Sequence, residues 1–213
     1  MRVTCPIAVV ALLVAAASAA AGGGNPCARS DTGTTCHGTG GADNMVTGDG
    51  RDRLYGEDGD DRLNALGGGD YESGGAGDDS MHGGTGGDEL HGGRGHDSVL
   101  GDEHEHAGRD LIYGGQGPDR LFGLGNRDTL NGGPGGDVIH GDGGVDRSLG
   151  GPGDDTLDDR NEGDSLDGGD GDDEIYTRGG SRQTVRCGRG SDVAKVDGAD
   201  SVADDCERVV RIG

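Results

Sequence analysis

Aspartate is the residue whose type and spacing in this chain could do chemistry. It recurs at Asp43, Asp52, Asp61, Asp70, Asp79, Asp88, Asp97, Asp110, Asp119, Asp128, Asp137, Asp146, Asp155, Asp164 and Asp173, in steps of nine residues broken only between Asp97 and Asp110. Two positions after each carboxylate stands an aliphatic residue or Met, as in Asp52 to Leu54 and Asp79 to Met81; only Glu72 and Ser148 depart from this. Glycines precede each carboxylate and permit backbone angles closed to other residues, so a tight turn can aim its carbonyl oxygens inward. Carbonyls and a carboxylate make a hard-oxygen environment. Such donors suit Ca²⁺, which takes about 6 to 8 oxygens with loose geometry, better than Zn²⁺, which prefers N or S.

Other reactive-looking groups are weaker. Glu162-Gly163-Asp164-Ser165-Leu166 contains the four-letter signature of an esterase family with a nucleophilic Ser165. Asp164 and Leu166 are nevertheless ordinary members of the repeat, and the Asp-x-x-His partners ending at His82, His91 and His140 all lie upstream. A triad needs geometry that a repeat does not supply. Asp102-Glu103-His104-Glu105-His106 forms the excess that breaks the period, and its two His could hold a transition metal. A solvated loop is the preferred reading there, because inserts in solenoids map to surface loops. Gly83 to Gly87 is not followed by Lys, so a phosphate cradle has little support.

The elements that must carry these carboxylates are unusual. The chain has 213 residues, 51 of them Gly, only 2% aromatics and no Trp, so an ordinary compact core is not expected. Residues 1–21 combine Arg2, an apolar run from Ile7 to Val14 and Ala17-Ser18-Ala19, the form of a cleaved secretory signal peptide. That run is too short to span a membrane core of about 30 Å. Cleavage would leave 17 basic and 41 acidic residues, 17 − 41 = −24, which makes nucleic acid an improbable partner. Four cysteines would remain, and an exported chain is expected to pair them. Three pairings are open; Cys27 with Cys36 and Cys187 with Cys206 are preferred because the repeats hold the two ends apart.

Seven units follow the full pattern G-G-x-G-x-D-x-(apolar)-x: those starting at Gly74, Gly83, Gly92, Gly114, Gly132, Gly150 and Gly168. With position six the aspartate and position eight the apolar residue, this resembles the RTX, or haemolysin-type, calcium-binding nonapeptide repeat. The resemblance implies an all-β fold, a right-handed parallel β-roll solenoid with two nonapeptides per coil. It implies calcium ions between turns stacked on one side, so that Asp79, Asp97 and Asp119 line one edge and Asp88, Asp110 and Asp128 the other. The metal ligands expected on this basis are Asp52, Asp61, Asp70, Asp79, Asp88, Asp97, Asp110, Asp119, Asp128, Asp137, Asp146, Asp155, Asp164 and Asp173. Units with Thr47, Ala65, Glu72, Asp159 and Glu162 off-pattern are expected to bind weakly. Fifteen units make about seven and a half coils, a rod of roughly 36 Å at about 4.8 Å per strand.

The resulting organisation is a signal peptide at 1–21, an N-terminal segment at 22–37, the roll at 38–176 and a small disulfide-pinned C-terminal cap at 177–213, with Asp192 as a degenerate last position six. The leading expectation is a secreted, non-enzymatic calcium-binding protein that folds on binding extracellular Ca²⁺, with calcium ions as partners and no membrane span in the mature form. A structural or adhesive cell-surface spacer is the alternative, and Tyr113 and Phe122, on opposite sheets, are its only hint. An esterase using Ser165 is the remote third.

Overall fold

The computed structural model describes residues 27, 32–102, 108–160, 163–179 and 181–212. The expected signal segment and Glu103 to His106 of the insert lie outside them. Among the described residues every regular element is a strand, and no helix is long and apolar enough to cross a membrane.

Two ten-stranded sheets face each other, and every strand pairing is parallel. Sheet one runs from Thr35–His37 through Arg53–Asp58, Tyr71–Ala76, Glu89–Arg94, Leu111–Gln116 and onward to Ser201–Val202. Sheet two takes the alternate strands, from Asn44–Val46 through Ser80–His82 and Ser98–Leu100 to Arg208–Arg211. Consecutive strands thus fall in opposite sheets, two nonapeptides make one coil, and the chain is a parallel β-solenoid.

The nine-residue unit explains this directly. Positions seven to nine form a strand in which only the middle residue turns inward, so strands read exposed, buried, half-buried, as in Ser80–His82. Met45, Leu54, Leu90, Ile112, Leu121, Leu130, Leu157 and Ile175 are accordingly fully buried, forming the thin apolar stripe between the sheets. Glu72 and Ser148 occupy the same inward positions and are buried too, Glu72 in register with Leu54 on one side and Leu90 on the other.

Glycine is required where coils stack most closely. Gly115 has φ +119°, and a Cβ there would lie 2.1 Å from the carbonyl oxygen of Gly93. The roll is longer than the fifteen recognised units. Thr35–His37 precedes them, while Thr184–Arg189, Val193–Val196, Ser201–Val202 and Arg208–Arg211 follow in the same two sheets. The disulfide-pinned end is therefore built as the last coils of the solenoid. Both preferred cysteine pairs are formed, Cys27 with Cys36 and Cys187 with Cys206, at Cα separations of 5.6 and 5.0 Å.

Candidate metal centre

Each turn delivers its aspartate to the start of the next strand, so the carboxylates stack in two files. The first edge carries Asp52, Asp70, Asp88, Asp110, Asp128, Asp146 and Asp164 before the strands of sheet one. Along it the backbone N–H of each Asp donates to Oδ1 of the Asp one coil on, at 2.7 Å from Asp70 to Asp88 and 2.9 Å from Asp88 to Asp110. The second edge carries Asp43, Asp61, Asp79, Asp97, Asp119, Asp137, Asp155 and Asp173, joined in the same way, with 2.9 Å from Asp79 to Asp97 and 2.8 Å from Asp97 to Asp119. The grouping of Asp79 with Asp97 and Asp119, and of Asp88 with Asp110 and Asp128, is as the sequence led us to expect.

Oδ1 thus ties coil to coil, and Oδ2 points inside the turn. Oδ2 of Asp61, Asp79, Asp97, Asp119, Asp137, Asp155 and Asp173 on one edge, and of Asp70, Asp88, Asp110 and Asp128 on the other, is buried and meets no hydrogen-bond donor. Beside it stands the first glycine of its own unit and the carbonyl of the equivalent glycine one coil on. A Cβ built on Gly74 would lie 2.2 Å from Asp79 Oδ2 and 2.6 Å from the oxygen of Gly92. One built on Gly56 would meet Asp61 Oδ2 at 2.2 Å and the oxygen of Gly74 at 2.4 Å. Carboxylate and carbonyl oxygens from successive coils therefore converge on one small space.

The electrostatics mark these oxygens as short of positive charge. Burial raises the Asp110 carboxyl to about 8, a hydrogen bond from the Asp88 backbone opposing it and like charge from Asp102, Asp128 and Asp88 adding to it. Asp79, Asp119, Asp128 and Asp155 are raised to about 7, again first by burial. A buried carboxylate without a donor costs several kcal/mol unless a cation or a proton meets it. A hard divalent cation fits the donor set: anionic and carbonyl oxygens only, with no sulfur or imidazole among them.

The model of the RTX calcium-binding nonapeptide repeat matches the chain at residues 37–72, 73–103, 106–139, 122–157 and 149–183, most of its length. The chain belongs to this family. Among curated proteins no relative matches it. RTX repeats of this kind are calcium-binding units, and the two carboxylate files are their geometric expression here.

The files run past the last recognised repeat. Asp173 N–H donates to Asp192 Oδ1 at 2.9 Å, and Asp192 N–H to Glu207 Oε2 at 3.0 Å. On the first edge Gln183 N–H donates to Asp200 Oδ1 at 3.0 Å. Asp192 was anticipated; Asp200 and Glu207 were missed. Their signal was present, since each acid is followed two residues later by an apolar side chain, Val202 and Val209, at altered spacing.

The rival motifs fall elsewhere. Ser165 begins a strand of sheet one with its side chain exposed, four strands from that of His91, whereas His82 and His140 belong to sheet two. No described His stands beside it. His82, His91 and His140 are half-buried on the outer faces. An aromatic row was not expected, yet His37, Tyr55, Tyr71, His91 and Tyr113 form one on sheet one, with centroids 4.7 to 5.6 Å apart. His37 lies stacked on Tyr55 and His91 on Tyr113, so these rings cover one another's faces and the row staples neighbouring coils.

Proposed function

We propose that this protein is a secreted, non-enzymatic calcium-binding protein in which binding extracellular Ca²⁺ and folding the roll are one event. The position-six aspartates from Asp52 to Asp173 supply the carboxylates, and turn carbonyls from successive coils supply the rest. The observation that carries this reading is the buried, donor-less Oδ2 repeated from coil to coil.

The energetics point the same way. The apolar stripe is one side chain per strand, a thin core to set against chain entropy and against carboxylates stacked about 5 Å apart. Cation binding offsets both. With a Kd of roughly 10⁻⁴ to 10⁻³ M and about 1 mM free Ca²⁺, each site adds about 0.4 to 1.4 kcal/mol, and the sites add along the roll. Secretion rests on the form of residues 1–21 and on the two disulfides, which persist in oxidising compartments.

Calorimetric Ca²⁺ titration with circular dichroism tests the proposal. Strand signal is expected to appear over the same Ca²⁺ range as the heat. Full strand content in chelator, unchanged by Ca²⁺, would overturn it.

A further inference from the structure

The corner where sheet one turns toward the second edge carries a ladder of glycines on the outside of the roll. Position two of five successive coils there is Glu57, Gly75, Gly93, Gly115 and Gly133. Gly75 lies in register with Gly93, and Gly93 with Gly115. Stacking compels these glycines: a Cβ on Gly75 would lie 1.9 Å from the carbonyl oxygen of Glu57, and one on Gly93 2.2 Å from that of Gly75. At the corresponding step of the opposite corner the chain places Leu66, Leu124 and Asp142. The first corner therefore keeps a bare strip that the other interrupts.

That strip is the floor of a trough. A cavity of about 630 Å³ lies over it, within the roughly 300 to 1,000 Å³ of small-ligand sites. Along the chain it is flanked by Tyr113 and Asn131 at position nine, before the glycines, and by Asp58, Ala76, Arg94, Gln116 and Pro134 at position three, after them. From the coil of Glu57 to that of Gly133 there are four steps of about 4.8 Å, so the trough is about 19 Å long. Its shape suits a linear ligand.

The lining selects among linear ligands. The floor is the middle of a sheet, its backbone already bonded from coil to coil: Gly115 N–H donates to the carbonyl of Gly132 at 2.8 Å and Gly133 N–H to that of Gly150 at 3.0 Å. An extended peptide binds by adding main-chain hydrogen bonds at a free sheet edge, which this floor is not. The lining sets one cation, Arg94, against two anions, Glu57 and Asp58, so it holds no attraction for a polyanion. What remains is a flat apolar floor with planar hydrogen-bonding groups at its margin. Among the described residues the Arg94 guanidinium and the Gln116 and Asn131 amides make no hydrogen bond or ion pair.

Tyr113 adds a ring at one end. His91 stacks on it at 4.7 Å, and the next coil carries Asn131 in register, so the row of rings ends there and the second face of Tyr113 has no ring over it. Pyranose sugars match this set, with C–H faces for the ring and the floor and hydroxyls for the amides and the guanidinium.

We propose that this trough binds a neutral, linear oligosaccharide. Tyr113 stacks on one sugar ring, the glycine floor takes the flat faces of its neighbours, and Arg94, Gln116 and Asn131 hydrogen-bond their hydroxyls. The site is distinct from the carboxylate files and lies on the outside of the roll.

The full chain in saturating Ca²⁺, its fold verified by circular dichroism, is titrated with cellohexaose, chitohexaose and maltohexaose while backbone amide signals are followed by NMR. At least one of the three sugars is expected to shift Gly75, Gly93, Gly115 and Gly133 saturably. Tyr113→Ala should weaken that binding roughly tenfold. Tyr55→Ala removes a ring from the same row but outside the trough, so it tests loss of stacking between coils and should leave the affinity unchanged. The proposal fails if none of the sugars shifts these amides, if the shifts lie elsewhere, or if Tyr55→Ala weakens binding as much as Tyr113→Ala. A response to polygalacturonate but to none of the neutral sugars would overturn it as well.

Discussion

The backbone N–H of Asp79 donates to Oδ1 of Asp97 at 2.9 Å, while Oδ2 of the same Asp97 is buried with no donor. One carboxylate therefore serves two purposes, holding adjacent coils in register with one oxygen and leaving the other for a cation. Asp97→Asn keeps the acceptor and removes the charge. In chelator this variant is expected to be at least as stable as the parent, and in Ca²⁺ less stable. Thermal unfolding under the two conditions should show the order of the proteins reversed.

Acid should substitute for calcium. The folded, calcium-free carboxyls of Asp61, Asp137 and Asp173 are raised to about 6, those of Asp70, Asp79 and Asp155 to about 7 and that of Asp110 to about 8, from an ordinary value near 3.8. A group raised on folding contributes stability that is complete below its unfolded value and is lost as pH rises through its folded one. In chelator, strand content is therefore expected near pH 4 and should fade between about pH 6 and pH 8. Circular dichroism across that range, with and without Ca²⁺, measures it; Ca²⁺ should hold the signal up at pH 8.

Backbone angles make opposite predictions at neighbouring turns. Leu66 and Leu124 adopt φ +69° and +73°, a left-handed conformation that costs a β-carbon-bearing residue about 1 to 2 kcal/mol. Leu66→Gly and Leu124→Gly are expected to stabilise the calcium-loaded roll by about 1 kcal/mol each. Gly115→Ala, whose Cβ would meet the Gly93 carbonyl at 2.1 Å, should instead disrupt stacking between the coils on either side. Denaturant melts in saturating Ca²⁺ distinguish the two signs.

The Cys187–Cys206 bridge closes a separation of 19 residues across the last coils. Loop-closure entropy sets its contribution at about 3 kcal/mol. A Cys187→Ser, Cys206→Ser double variant should lose hydrogen-exchange protection first in Thr184–Arg189 and Val193–Val196, with the middle of the roll least affected.

The repeat made the architecture readable because one period encodes turn, ligand and core together. Asp at position six and an apolar residue at position eight fix both which edge a carboxylate joins and which side chain faces inward, as Asp79 and Met81 illustrate. What the period could not convey is contact between departures from it. Ser148 and Asp159 each read as a defect, yet they lie 11 residues apart in sequence and meet inside the roll. Tyr71, at position seven of its unit, joins Tyr55 and His91, both at position nine of theirs, in one row, because stacking depends on register between coils. Asp200 and Glu207 escaped notice for a related reason: their spacing drifts while their pairing does not.

The interruption between Asp97 and Asp110 lengthens the step from Asp88 to Asp110 and from Asp97 to Asp119 to 22 residues, yet the carboxylate bonds across it stay at 2.9 and 2.8 Å. Glu89–Arg94 still pairs with Leu111–Gln116, and Ser98–Leu100 with Arg120–Phe122, as though nothing had been added. The scaffold therefore tolerates cargo at this corner. Between Asp102 and Gly108 it offers a port where foreign peptide could be displayed on a calcium-switched frame, with alignment kept by the coils above and below.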